Sequence, residues 1–357
     1  IRDPDHSLVG SEMCIRDSQN TGRHETVHRL LDLFEPEEII GHQPLAIAAA
    51  LVSGMGGHPR EARRYLDGAE RLRFDRPPPD ETATMASSLA LARASLALDG
   101  IDMALADGHV AYELEPPGGI WRALAALDIG LALVMRGEPD EAVPFFVEVD
   151  RTGDTTMRVY ALAELALSQL HRGEADRAAA TAATAVDLVA EIGIGDLIMA
   201  GVAHAAQALT ALARGDERAA RVALRAAGRP MTFVGDALPM DSIHARLLLA
   251  RAAIELGESD LARHHLEAVR RVADTVNDIG AMRAELVDLR GRLDALGPDG
   301  RDDASPDFTA RELEVIALLP TALTTREIGE ELFLSRNTIK TYLRRVYGKL
   351  HASSREE

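Results

Sequence analysis

The chain has 357 residues, 46% of them hydrophobic and only 4% aromatic, with a formal net charge of −18. This composition can bury a large core, which excludes a disordered chain, and its acidity excludes a general nucleic-acid binder. A single cysteine, Cys14, excludes an intrachain disulfide and fits a reducing, cytoplasmic setting. No apolar run is long enough to span a bilayer, and no signal peptide is evident.

Residues 1–18, IRDPDHSLVGSEMCIRDS, are unlike the rest. The run Ser7–Ser18 resembles the translation of a sequencing adapter, so the stretch is read as a non-native tail, Cys14 with it. His24-Glu25-Thr26-Val27-His28 then matches H-E-x-x-H, in which two histidines four apart on a helix could hold zinc beside a general base. No further ligand follows at a diagnostic offset, so chance on a solvated helix is the better reading.

From Gln43 to about Gly297 the chain repeats itself. A long apolar stretch ends in Gly, a polar turn follows, and a second amphipathic stretch begins with Ala five residues after the Gly. The copies are Gly57–Ala62, Gly137–Ala142, Gly173–Ala178, Gly215–Ala220 and Gly257–Ala262, with Gly100–Leu105 a degenerate one. Successive glycines lie 43, 37, 36, 42 and 42 residues apart. Each Gly can close a helix in the left-handed conformation, acidic residues after it suit the next N-terminus, and the Ala lets paired helices approach closely. Pro- or Gly-rich breaks at Arg76–Pro79, Pro116–Gly119, Gly153-Asp154, Ile192–Gly195 and Gly228–Pro230 fall between pairs. The pattern resembles tetratricopeptide-like repeats of unusual length, and implies six helix pairs stacked as a curved superhelix, with a helix at about Ala281–Leu296 capping it. Trp121, Tyr160 and Tyr65 read as core. The adjacent His264 and His265 read as surface positions.

Residues 298–307 are polar and contain Gly and Pro, a linker composition. Beyond it the charge balance changes: 307–357 carries eight acidic and eight basic side chains, and both lysines of the chain, Lys340 and Lys349. A helix is expected at about Ala310–Leu319, with Thr309 and Glu312 as a capping box and Leu313, Val315, Ile316, Leu318 and Leu319 for a small core. A short second helix follows over Thr325–Leu332, capped by Thr324 or Thr325. Phe333-Leu334 turns into Ser335, the N-cap of a third helix. There Ile339, Leu343, Val346, Tyr347 and Leu350 form an apolar stripe. Asn337, Lys340, Thr341, Arg344 and Gly348 lie opposite, flanked by Arg336, Arg345 and Lys349, and no acid interrupts 336–350. One face packs and the other is cationic, as a helix in a major groove requires.

The segment resembles the LuxR-type helix-turn-helix of bacterial transcription regulators. The resemblance rests on Thr309, Arg311-Glu312, Glu314-Val315, Leu318-Leu319, Glu327-Ile328, Leu332, Ser335, Asn337–Lys340, Tyr347, Lys349-Leu350 and Ser353–Arg355. It implies that Lys340, Thr341 and Arg344 face the bases, and that Ser335, Asn337, Thr338 and Lys349 contact phosphate or hold the frame. Arg336 and Arg345 add phosphate contacts. Tyr342, Gly348 and His351 depart from the family pattern, and the chain stops inside the family's fourth helix, so 308–357 is read as C-terminally truncated.

The expected fold is all-α: a helical-hairpin superhelix over 19–297, a linker over 298–307 and a four-helix LuxR-type domain over 308–357. Helical repeats before such a domain resemble the large ATP-binding, maltose-activator-like LuxR regulators, whose nucleotide-binding domain would lie upstream. The chain itself has no P-loop motif, no lysine before residue 340 and no C-x-x-C. The expected function is a non-enzymatic transcription regulator. Its expected partners are duplex DNA, a protein or small-molecule effector at the repeats, and a second copy of the chain; no cofactor, metal or membrane is expected. The alternatives are an interaction scaffold whose terminal domain does not bind DNA, and an enzyme using zinc or a separate ATPase domain.

Overall fold

The structure, a computed structural model, describes Leu31, residues 33–228, 231, 238–274, 276, 278–296, single positions between 312 and 332, and the helix 336–350. The adapter-like tail, the H-E-x-x-H stretch, the linker 298–307 and Thr309 lie outside the described residues. The chain divides into two compact units, Ile1–Leu293 and Asp294–Glu357.

Among the described residues every regular element is a helix. The first unit holds α1 (Pro36–Ile40), α2 (Gln43–Met55), α3 (Pro59–Glu70), α4 (Met85–Leu96), α5 (Ile101–Leu114), α6 (Ile120–Arg136) and α7 (Pro139–Thr152). It continues with α8 (Thr155–His171), α9 (Ala175–Ile192), α10 (Ile198–Ala213), α11 (Glu217–Ala226), α12 (Pro239–Glu255), α13 (Ser259–Ala273) and α14 (Met282–Ala295). From α2 to α13 they form six antiparallel pairs, each turning at one of the six glycines of the repeat.

The turns form for the reason the sequence suggests. All six glycines have φ between 76° and 96°, a left-handed region costly for any residue with a Cβ. In five pairs the residue after the Gly donates its N–H to a carbonyl five residues back: His58 to Ser53, Glu138 to Leu133, Glu174 to Gln169, Asp216 to Ala211 and Glu258 to Ala253, at 2.8–3.0 Å. These are Schellman closures, which satisfy carbonyls left open by the ending helix. The Gly100 copy differs. There Ala97 takes the left-handed position and Gly100 caps the start of α5. The five alanines placed after the glycines, Ala62, Ala142, Ala178, Ala220 and Ala262, are fully buried.

The first helices of successive pairs pack on one another, α2 to α4 to α6 to α8 to α10 to α12, and the second helices lie outside them. Burial follows this layering: α12 buries 14 of its 17 residues and α13 seven of its 15. Close approach depends on small residues. A Cβ at Gly130 would stand 2.6 Å from Cε1 of Phe146, the large aromatic fully buried between α6 and α7.

Three expectations need correction. α14 does meet the sixth pair, through the ion pairs Arg251–Glu285 and Arg292–Glu255, but the segment before it does more than cap. It returns to the second and third pairs, where the Ala281 N–H donates to the Met135 carbonyl at 3.0 Å and a Cβ on Gly280 would collide with Ile101 and Met135. Ile279 is buried there. Second, His264 is exposed but His265 is buried, because i and i+1 on α13 straddle the edge of its apolar face. Burial, first of all, pushes its pKa well below the usual histidine value. Third, Tyr65 and Tyr160 are core residues as expected, but Trp121 is half-buried and lines a cavity.

Candidate nucleic-acid interface

In the second unit, α15 (Arg336–Leu350) is 15 residues long, about 22 Å at the usual rise. It is held by a compact apolar cluster. Val315, Ile328 and Ile339 are buried together, and Leu318, Leu332, Tyr342 and Leu343 pack against them. Val346, two turns after Ile339, is also fully buried. The stripe deduced for this helix therefore does pack, at least through Ile339, Leu343 and Val346. Tyr342 joins it, a contact the spacing alone did not assign, since 342 sits at the stripe's margin.

The preceding helix is fixed at its start by Thr324. The Thr324 N–H donates to Glu327 Oε2 at 2.7 Å, and the Glu327 N–H donates to Thr324 Oγ1 at 3.3 Å. This reciprocal pair satisfies two otherwise open donors and decides the cap in favour of Thr324 over Thr325. The signal was in the sequence, T-x-x-E over 324–327. Ile328, one residue further, then enters the core. Glu312 is a buried carboxylate, a role that its place in a predicted helix start did not reveal.

Opposite the packed stripe, Lys340, Thr341 and Arg344 are exposed together, and Thr338 is half-buried at the margin. Positions 340, 341 and 344 share one side of a helix by its period. Arg336, Asn337, Arg345 and Lys349 lie on the same helix, but their side chains, and Ser335 entirely, are outside the described residues. Among the described residues no group of histidine, cysteine or carboxylate side chains is placed to hold a metal ion. No described helix is long and apolar enough to cross a membrane.

A helix with a packed stripe and an exposed cationic face, preceded by a capped helix start, agrees with what the comparisons find. Residues 306–357 match the family described as bacterial regulatory proteins, luxR family. The C-terminal unit carries a LuxR-type helix-turn-helix domain. Curated relatives match over this domain. The transcriptional regulatory protein LiaR of Bacillus subtilis is 42% identical over 50 residues, 14% of this chain and 24% of LiaR. The uncharacterized transcriptional regulatory protein YxjL of the same organism is 36% identical over 56 residues, 16% of this chain and 26% of YxjL. The chain thus spans about a quarter of the length of these relatives. A solved structure titled as the human IFIT1 dimer with m7Gppp-AAAA is 14% identical over 99% of this chain and 96% of that one, with a TM-score of 0.37. Likeness at that level carries no argument about fold or ligand.

The hairpin unit carries polar chemistry of its own on its inner helices. Ser95 of α4 donates to Asp128 Oδ2 of α6 at 2.7 Å. Tyr160 of α8 donates to Asp241 Oδ1 of α12 at 2.8 Å, and His244 of α12 pairs with Glu164 of α8 at 2.7 Å. Burial raises the Asp128 carboxyl to about 8, helped by the nearby Asp241 carboxylate. Burial also raises Asp241, against the hydrogen bond from Tyr160. For His244, burial works downward, but the Glu164 carboxylate and its hydrogen bond outweigh it and the pKa rises. Sequence spacing could not find this group, because its members come from four helices up to 149 positions apart in the chain, from Ser95 to His244.

Proposed function

We propose that this protein is a bacterial transcription regulator that binds duplex DNA sequence-specifically through α15 of its LuxR-type domain. One observation carries the reading: Lys340, Thr341 and Arg344 stand exposed on one face of a helix whose other face is anchored by Ile339 and Val346. An anchored helix presents its donors in a fixed frame, which base recognition requires. Lys340 and Arg344 suit the O6 and N7 acceptors of guanine in the major groove, and Thr341 suits either a donor or an acceptor. Arg336, Arg345 and Lys349, with Ser335, Asn337 and Thr338, supply phosphate contacts that set register without reading sequence.

The hairpin unit, tetratricopeptide-like in its repeat, serves as the sensing and partner-docking region. The order of hairpins before a LuxR-type domain supports a likeness to the large maltose-activator-like regulators. Charge suits this division of labour. Acidic and basic side chains cancel over 307–357, so the whole excess of acid lies upstream and repels phosphate. DNA contact is thereby confined to the terminal domain. The protein works in the cytoplasm, where its DNA is, and has no catalytic role of its own.

The test is a binding selection on random duplex DNA with the full chain, repeated with Lys340→Ala and Arg344→Ala. One enriched motif, lost in both variants, is the expected result. Salt-sensitive binding without enrichment would reduce α15 to a nonspecific cationic helix. No binding at all would leave the chain as an interaction scaffold.

A further inference from the structure

The first two hairpins and the start of the third line an open pocket of about 680 Å3 counting the solvent at its mouth. Its walls are apolar: Ile47 and Leu51 of α2, Leu91 of α4, and Trp121 and Leu124 of α6, closed by Pro79 from the loop before α4. The walls are also fixed. The Trp121 indole N–H donates to the Asp80 carbonyl at 2.9 Å, and the Asp80 carboxylate accepts from the Thr82 hydroxyl at 2.7 Å and from Ser88. These bonds pin the loop 79–82 across one side.

Its charge is one-sided. No Lys, Arg or His is among the lining residues, while Asp80 is. Ser95 also lines it, and its hydroxyl leads to Asp128, one helical turn beyond Leu124 on the same side of α6. Asp80 is already supplied with donors by Thr82 and Ser88. Asp128 is different: Ser95 is the one donor it has among the described residues, and no described cation pairs with it. A half-buried carboxylate with no counter-ion among the described residues, one hydrogen bond behind the lining of a preformed apolar pocket, lacks the partner such groups normally have.

We propose that this pocket binds a small amphipathic amine, with its hydrocarbon part between Leu51, Leu91, Leu124 and Trp121 and its ammonium group on Asp128. An organic acid is disfavoured by Asp80 and Asp128 together. A purely apolar molecule would leave Asp128 as it is. Bound, the ammonium supplies the missing counter-ion and the carboxyl gives up its proton, so one proton is released for each amine taken up near neutral pH. Asp241, from α12, opposes a second negative charge at Asp128, and Tyr160, which donates to Asp241, lies near it as well. Binding of the amine stands apart from DNA binding. Only its use as a signal rests on the function proposed above.

Trp121 is the single tryptophan of the chain, so its fluorescence reports occupancy directly. The full chain is titrated with hexylamine, hexanol and hexanoate at about pH 7 and about pH 9. Hexylamine is expected to bind roughly tenfold more tightly than hexanol, as a charge-assisted contact does over a neutral one, and hexanoate not measurably. Affinity for hexylamine should rise between the two pH values, because more Asp128 is already ionised at the higher one. Asp128→Asn keeps a partner for Ser95 and should erase both the amine preference and its pH dependence, while hexanol binding stays. Equal binding of amine and alcohol, or an amine preference that survives Asp128→Asn, would overturn the proposal. Failure of all three ligands to perturb Trp121 would remove the pocket itself as a site. Neither result touches the DNA reading, since no DNA is present.

Discussion

The two units build helices into a core in opposite ways. The hairpin unit spreads its stability over a long row of small residues. Alanine is the commonest residue in its clusters, and five of the six pairs repeat the same Gly turn and Ala contact. Among the described residues the LuxR-type domain rests instead on a cluster of branched side chains, Val315, Ile328 and Ile339, which together hold α15. A repeat array distributes a local loss among neighbouring interfaces, whereas a small core has nowhere to spread it. Function follows the same division. The hairpin unit turns its chemistry inward, to Asp128, Glu164, Asp241 and His244, while α15 turns Lys340, Thr341 and Arg344 outward.

Perturbing each core tests this contrast. Phe146→Ala removes the large ring seated on Gly130 and should cost about 3–5 kcal/mol, read as a lower melting temperature of the hairpin unit. If the array is as modular as its repeat suggests, helix content in the flanking pairs should persist, as hydrogen exchange would show. Ile339→Ala should cost about 2–5 kcal/mol from a much smaller core and so abolish DNA binding rather than weaken it. Retention of binding by Ile339→Ala would erase the contrast. Lys340→Ala leaves that core intact and should weaken specific binding by about 1–3 kcal/mol with an unchanged melting temperature. Thr324→Ala, which removes the hydroxyl of the reciprocal cap, should cost about 1 kcal/mol in the same domain.

A pH-dependent effect sharpens the inward-facing side. A carboxyl whose pKa is raised on folding holds its proton more tightly in the native state, so stability is greatest below its unfolded value and falls as pH rises towards its folded value. For Asp128 this window runs from 3.8 to about 8. Asp128→Asn should therefore be more stable than the wild type, by a margin that widens from about pH 5 to about pH 8. His244 titrates over a different interval: its favourable pairing with Glu164 is complete below 6.5 and is lost as pH rises through its raised value. A thermal-denaturation series of wild type and variant at matched pH isolates the Asp128 term. A constant difference across the series would show that Asp128 ionises normally in the folded protein.

Local rules legible in the chain determined much of this protein. Gly57, Gly137, Gly173, Gly215 and Gly257 announced the turns because left-handed backbone is cheap only for glycine, and alanines five residues later announced where helices meet. The stripe through Ile339 and Val346 and the donors opposite it follow from the helical period alone. Tertiary structure decided what depends on residues far apart in sequence. The return of Gly280 and Ala281 to Met135 joins the end of the array to its third pair, a contact which no single repeat encodes. The burial of His265 depends on which edge of α13 meets its neighbour. The pairing of Glu164 with His244, and the pocket that gathers Leu51, Leu91 and Trp121 beside Ser95, exist only because separate helices converge. Periodicity tells each helix which side to bury, but not which distant side chains will meet it there.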